Sequence, residues 1–527
     1  MNKRLFNNTL LVVVMALVIT SCKSKSEANY NSYISANNEL YLSINSEQLV
    51  TKSSFNNYLR SSEKSMIDGT LLAILRKEVF DIVQPITDDP YKMGIDFSKK
   101  THITIPSLAD FDNNQFNVSI YSAVKSKKKL DAFISSLLEL DNSIETSSIN
   151  DFTIVPIDKY SPVYLLYNEA ACIITTVAED NLKNLIAPAQ PITEAKELVE
   201  AINDNSDLST IMNFELLLKN ERFKNDPIIS IMMKNTSYAD LIKDSFQQLS
   251  LNFNKGDISI NQKMLNYNKE AFNKFDVTLK NKQNHTPLIK KDPILYSSMG
   301  MDGAKLSNLV NDFWAVLPGY AERDNVFKDI TSKILASIHG DLTFVFSDLE
   351  INFFTPKIDA SLLVDAKDKT LFTTIEELLT SQNTGLRLNK ENDNLLLIGD
   401  QTFSMYIGYT DEFTYFTTDK AYAENPTAKI DENISLSRYY EQSKKEENYF
   451  VLDLDKLLKI PFIQMSMSTV PELKQESIKQ LIDELDYIEG YTKKDRNNEF
   501  KIVLKDKNIN SLELITKTLI EYTREQM

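Results

Sequence analysis

Three histidines, His102, His285 and His339, are all the imidazole that 527 residues contain. Imidazole moves protons near neutral pH and is the commonest nitrogen ligand of zinc, so its placement bounds the chemistry. His102 lies in Thr101-His102-Ile103-Thr104-Ile105, a strand-like run; His285 lies in a polar stretch; His339 precedes Gly340-Asp341, where a turn is expected. None has a second histidine or a cysteine at metal-ligand spacing, so neither a zinc site nor a serine triad is expected. Glycine is equally spare, with 11 residues and no Gly-x-Gly pair to cradle a phosphate. Gly300 and Gly303 flank Met301-Asp302 and read as a turn into a helix capped by Asp302. Asp453 and Asp455, two apart, would share one face of a strand as a glycosidase pair does, but a carboxylate pair without known separation is a weak signal. Lys125, Lys127, Lys128 and Lys129 form the one basic run; a partner or lipid headgroup contact is conceivable, and a solvated loop is the plainer expectation.

Cys22 carries a different chemistry. It closes Ile19-Thr20-Ser21-Cys22 behind a basic start, Lys3 and Arg4, and an apolar run over 10–19. That run is too short to cross the ~30 Å hydrocarbon core as a helix, and the pattern is that of a bacterial lipoprotein signal over 1–21. Cys22 is therefore the expected lipidation site, its thiol carrying a diacylglycerol and its new amine an acyl chain. At about 0.8 kcal/mol per buried methylene, several chains hold a protein on a membrane where one is marginal. Residues 22–36 begin polar and without periodicity, as a tether would. With Cys22 acylated, Cys172 has no disulfide partner; it sits in Ala170-Ala171-Cys172-Ile173-Ile174 and reads as a small core residue.

Loss of Lys3 and Arg4 takes the formal charge from −16 to −18. Such a surface disfavours nucleic acid. Some 500 residues exceed what one core usually serves, so at least two domains are expected. The halves share landmarks at nearly constant separation. Residues 118–124 with Leu130, Ile134, Leu137 and Leu138 match 358–364 with Leu371, Ile375, Leu378 and Leu379. The hairpin of Val163, Leu165 and Tyr167 matches Met405, Ile407 and Tyr409. Asn213 and Glu215 match Asp453 and Asp455, which turns the acidic pair into a helix cap at a strand end. Ile258 and Ile260 match Phe500 and Ile502. Four blocks in one order indicate internal duplication.

Each half reads as alternating strands with amphipathic helices. One such helix carries Leu72, Leu75, Val79 and Ile82; its counterpart carries Leu306, Leu309, Val310, Phe313, Trp314 and Leu317. The fold class expected is α+β: two duplicated modules, each a mainly antiparallel sheet with helices packed on one face. Boundaries are placed at 37–280, a linker at 281–292, and 293–527. Aromatics crowd the second half at Tyr406, Tyr409, Phe413, Tyr415, Phe416, Tyr439, Tyr440, Tyr449 and Phe450. They serve either as an exposed stacking face or as core.

The lipobox, Leu40-Tyr41-Leu42-Ser43-Ile44-Asn45, Gly94-Ile95-Asp96-Phe97-Ser98 and His339-Gly340-Asp341-Leu342-Thr343 together resemble an uncharacterised family of large Bacteroidetes-type lipoproteins, a domain of unknown function. The family offers no activity to borrow; the lipobox points to the cell envelope, and the residues mark no cofactor or metal site. The residues themselves suggest a non-enzymatic binding or scaffolding module on the outer membrane, with an envelope protein or glycan as partner. Two other readings stay open: a hydrolase with a site between the repeats, and a carrier of an apolar ligand.

Overall fold

The computed structural model describes residues 29–526 apart from 59–68, 70–76, 89, 112–116, 141–142, 159–160, 221–225, 227–228, 231–232, 234–235, 316–325, 352–355, 382–386, 400–403, 472, 474 and 494–495. Cys22, the signal segment, Leu72, Leu75 and Leu317 lie outside the described residues. The chain divides into two compact units. The first comprises Met1–Asp226, Ile242–Tyr267 and Asn508–Met527, and the second Pro227–Leu241 and Asn268–Lys507.

In the first unit the strands are β1 (Leu40–Ile44), β2 (Thr101–Ile105), β3 (Ser119–Ala123), β4 (Ser147–Ile149), β5 (Phe152–Asp158), β6 (Ser161–Tyr167), β7 (Ala171–Thr175), β8 (Leu208–Asn213), β9 (Phe246–Phe253) and β10 (Asp257–Leu265). They pair antiparallel throughout, in the order β10-β9-β8-β1-β2-β3-β7-β6-β5-β4. The second unit has a two-residue strand β11 (Thr278–Leu279), then β12 (Leu295–Asp302), β13 (Ile338–Ile351), β14 (Pro356–Ala366), β15 (Arg387–Asn392) and β16 (Leu395–Gly399). It continues with β17 (Ser404–Tyr409), β18 (Phe413–Thr417), β19 (Asn448–Asp453), β20 (Leu485–Thr492) and β21 (Asn498–Leu504). Its ladder runs β21-β20-β19-β12-β13-β14-β18-β17-β16-β15, again antiparallel. Position by position, the two orders coincide.

Side-chain bonds across the ladders coincide too. Ser119 and Thr175 meet hydroxyl to hydroxyl at 2.7 Å between β3 and β7, as do Ser361 and Thr417 at 2.7 Å between β14 and β18. The next threonine accepts a strand amide in both cases: Val118 N to Thr176 Oγ1 at 2.9 Å, Ala360 N to Thr418 Oγ1 at 3.0 Å. These partners set β3 against β14 two residues away from the match of 118–124 with 358–364. Alternating apolar residues leave a strand's match ambiguous by two, since a slip of two keeps every side chain on its face. The last strands shift likewise: relative to β9 and β20, Phe500 faces Gly490 while Ile258 faces Phe253 near the hairpin end, so those two residues do not correspond.

Helices are not confined to one face. Ile173 packs with Leu182, Ile186, Leu198 and Ile202 in one cluster, whereas its neighbour Cys172 packs with Leu130 and Ile134 of the helix Lys127–Leu138 in another. Successive strand residues point to opposite faces, so both faces of β7 are covered. The second unit repeats this, with Tyr415 in a cluster containing Ala423 and Ile434, and Phe416 packed beside Leu371, Phe372 and Ile375. Four of the nine second-half aromatics go to core, Phe413, Tyr415, Tyr439 and Tyr449 being buried, while Tyr406, Tyr409, Phe416 and Tyr440 pack partly buried against the core clusters.

The segment 281–292 is no free linker. His285, Thr286 and Ile289 are buried, and Asp341, itself fully buried, accepts the amides of Lys282 at 2.8 Å and Asn284 at 2.7 Å. The chain passes between units after Asp226, Leu241, Tyr267 and Lys507. Asn268 caps the helix Lys269–Phe275, which belongs to the second unit. Asn510, at the corresponding place after β21, opens the helix Ser511–Gln526, which belongs to the first unit and packs on the helix Ser46–Ser53.

Gly300 and Gly303 do not form a turn. Gly300 lies within β12, and a Cβ there would meet Leu279 O at 2.4 Å; Gly303 starts the helix Gly303–Ala315, and its Cβ would meet Leu335 O at 2.0 Å and Ile338 O at 2.6 Å. The Asp302 cap is present, accepting Lys305 N at 3.0 Å. Gly303→Ala is therefore expected to destabilise the second unit by about 3 kcal/mol, since backbone rather than a movable side chain blocks the added methyl. A urea midpoint measures this. Gly490→Ala, whose nearest neighbour would stand at 3.6 Å, should change little, and equal midpoints for the two variants would refute the packing argument.

Candidate functional site

Both buried histidines meet hydroxyls, which is the first half of a nucleophile and base arrangement. In the first unit β1 and β2 pair Ser43 with His102. Ser43 Oγ is 2.8 Å from Nδ1, and Tyr30 Oη is 2.9 Å from Nε2. Tyr30 gives its single proton to Lys100 O at 2.6 Å, so its oxygen must accept from Nε2–H, leaving Nδ1 to accept from Ser43. The bonds thus run one way and select the neutral imidazole with its proton on Nε2. Burial, then the nearby Lys100 charge, pushes His102 down to about 3.

In the second unit the imidazole comes from another element. His285 stands ten residues before β12, as Tyr30 stands ten before β1, and Thr343 occupies the place of His102 in the ladder, opposite Ser298. His285 Nδ1 is 2.9 Å from Thr343 Oγ1, and Nε2 is 2.9 Å from Asp365 Oδ1. Burial pushes Asp365 up, but hydrogen bonds from His285, the Asp341 amide and Asn284 outweigh it and hold the carboxyl below its usual range. Gly340, at φ +135°, lets Asp365 approach: a Cβ would lie 2.6 Å from Asp365 Oδ2. His339 is exposed and lies in β13 at a register irregularity, not in a turn.

Hydroxyl, imidazole and carboxylate therefore stand in line, yet the arrangement lacks what acyl transfer needs. Ser43, His102, His285 and Thr343 are each 1% exposed, so no carbonyl can approach the oxygen that would attack it. These are hydrogen-bonded plugs fastening the segment before the first strand onto each sheet.

The remaining sequence candidates resolve into structure. Asp453 accepts Lys456 N at 2.9 Å and Asn213 accepts Leu216 N at 3.1 Å, both as helix caps; Glu215 and Asp455 pair with Lys219 and Lys459 one turn on. Cys172 is buried, and desolvation pushes its thiol up to about 12, the opposite of a reactive thiolate. The lysine run opens a helix rather than a loop. Ser126 caps it, Lys127 bonds Asp131 at 2.9 Å, and Lys125 lies 4.0 Å over the Tyr91 ring.

One charged cluster carried no signal in the sequence, because its members lie 69 and 129 residues apart. Lys290 Nζ stands 3.2 Å from Asp359 Oδ2 and 3.3 Å from Asp419 Oδ2, all in the second unit. Burial would lower the lysine, but Asp359 and then Asp419 hold it raised. They rim a concavity shared with Ser347, Ser361, Tyr422, Ile289 and Leu363, of about 350 Å³ counting its open mouth. Among the described residues, no three His, Cys, Asp or Glu side chains gather to hold a metal ion, and no helix is long and apolar enough to cross a membrane.

A family model described as a domain of unknown function, DUF4836, matches residues 30–512. The chain belongs to this family. No curated protein matches it, and no solved structure does. The DUF4836 region opens at Tyr30, the residue bonded to His102, and holds both histidine plugs and the Lys290 cluster.

Proposed function

We propose that this DUF4836 chain is a lipid-anchored envelope protein, most simply of the outer membrane, whose twin units arose by duplication and serve as a binding or scaffolding module. The anchor rests on the lipobox ending at Cys22, and the duplication on the coincident strand orders. The observation that carries the binding role is the stretch 460–471. In a chain with one residue in four charged, these twelve carry no charge, and Phe462, Met465 and Val470 are 43%, 61% and 39% exposed. Three large apolar side chains exposed within one uncharged stretch of a folded protein support an interaction surface. The sealed hydroxyl–imidazole pairs add no support to a hydrolase.

Two measurements test the reading. Metabolic labelling with palmitate should mark the wild-type protein and leave Cys22→Ala unlabelled; an unlabelled wild type overturns the anchor. A photo-crosslinking amino acid at position 465 in intact cells should yield one reproducible adduct that Phe462→Asp abolishes. No adduct, or one indifferent to that change, overturns the binding surface.

A further inference from the structure

We propose that the second unit binds the acyl chain of an uncharged lipid in a groove over β20, an inference that does not depend on the 460–471 surface. Residues directly opposite in neighbouring strands share a face, so the register puts Phe344, Ser297, Phe450, Gly490 and Phe500 in one row across β13, β12, β19, β20 and β21. The next row on that face is Phe346, Leu295, Leu452, Ile488 and Ile502. An antiparallel sheet open on one face carries polar residues there. In these two rows Ser297 is the one polar side chain, and none is charged. Yet the face is not sealed: Phe344 and Phe500 are each 36% exposed and the others half-buried, whereas Val345, Tyr296, Tyr449 and Tyr491, which alternate with them on the opposite face, are buried.

Gly490 opens the groove. A carbon built on it would meet Phe500 Cδ2 at 3.6 Å and Phe450 Cδ1 at 3.7 Å, ordinary van der Waals distances, so a hydrocarbon chain lying along β20 touches a ring on either side. The fold does not require this glycine. The matching row of the first unit is Ile103, Leu42, Thr210, Leu249 and Gln262, which sets leucines at the places of Ser297 and Gly490 and no aromatic wall beside them. The groove therefore belongs to the second unit alone. Its occupant follows from what the face lacks: with the amides and carbonyls of β20 spent on β19 and β21, a peptide lying there would leave its own backbone groups unpaired, whereas a hydrocarbon chain brings none. On the far side of the phenylalanine row Asn448 stands opposite Thr492, and its Oδ1 is shielded from water without a hydrogen-bond partner. That oxygen only accepts, so it suits a headgroup hydroxyl and not a carboxylate. A monoacylglycerol satisfies both ends.

Equilibrium dialysis of 1-decanoylglycerol against the purified full chain, carrying Cys22→Ala so that no anchor of its own competes, tests this. Retention with Kd on the order of 10 μM is expected, and 1-octanoylglycerol, shorter by two methylenes, should bind about tenfold more weakly. Gly490→Leu, which installs the residue of the first unit, should weaken binding about tenfold at an unchanged melting temperature, and Phe500→Ala, which removes one wall, several-fold. Decanoate should bind more weakly than 1-decanoylglycerol; equal binding overturns the uncharged headgroup. No retention of 1-decanoylglycerol, no dependence on chain length, or retention unchanged in both variants overturns the groove. An adduct at position 465 alongside any of these results would leave the binding-module reading standing and the lipid site refuted.

Discussion

Lowering the pH from 7 to 5 is expected to cost the first unit roughly 2 kcal/mol through His102 alone. Unfolded, this imidazole has its ordinary value near 6.5; folded, burial and Lys100 push it down to about 3. A group depressed in the native state is neutral there while the unfolded chain takes up protons. The stabilisation is therefore whole above pH 6.5 and drains away as pH falls toward 3, at about 1.4 kcal/mol per pH unit. The cost reaches roughly 4 kcal/mol by pH 3, where carboxylates join in, so the window from 6.5 to 5 isolates the imidazole. Denaturant midpoints across it should fall for the wild type and stay level for His102→Gln. Imidazole NMR gives an independent reading in the native protein, where only three histidines contribute. A His102 resonance that titrates above pH 5 would contradict the one-way bonding of Ser43, His102, Tyr30 and Lys100.

Removing residues 508–527 should destabilise the first unit, by on the order of 5 kcal/mol, and spare the second. Tyr58 Oη donates to Glu513 at 2.7 Å, and Arg524 donates to Tyr58 O at 2.7 Å. Gly256 N bonds Ile509 O and Ser511 N bonds Asn254 O, each at 2.9 Å, so the β9–β10 turn is tied to the chain end. Ser511, Leu514 and Thr518 are buried. Each hydrogen bond is worth about 1 kcal/mol and a buried leucine about 2. Limited proteolysis of the truncated protein should open sites around 46–58 and 253–257. Cleavage first within 476–504 would instead mean that the last helix serves the half from which its sequence comes.

That helix marks where reading by halves stops. The repeated order placed a helix after the last strand pair of each half. Nothing in either amphipathic pattern says which unit the helix covers, because an apolar stripe specifies a partner surface and not its owner. The histidines show the same limit. His102 in a strand and the Asn213 and Asp453 caps were legible from local pattern, since alternation and capping are short-range rules. The exchange of Tyr30 and His102 for His285 and Thr343 was not, because those residues meet only through the ladder and the segment before it. The Lys290 cluster was silent for the same reason.

By itself the amino-acid sequence determined the antiparallel α+β class, the helix caps and the core role of Cys172. These follow from residue type and periodicity within about ten residues. Tertiary structure alone decided the strand register, because a slip of two preserves alternation. It also decided which unit the chain end joins, that helices pack on both faces of β7 and of β18, and that the imidazole–hydroxyl pairs are sealed. Each of these depends on contacts across scores of residues, whose energies are set by burial and shape and not by any local pattern.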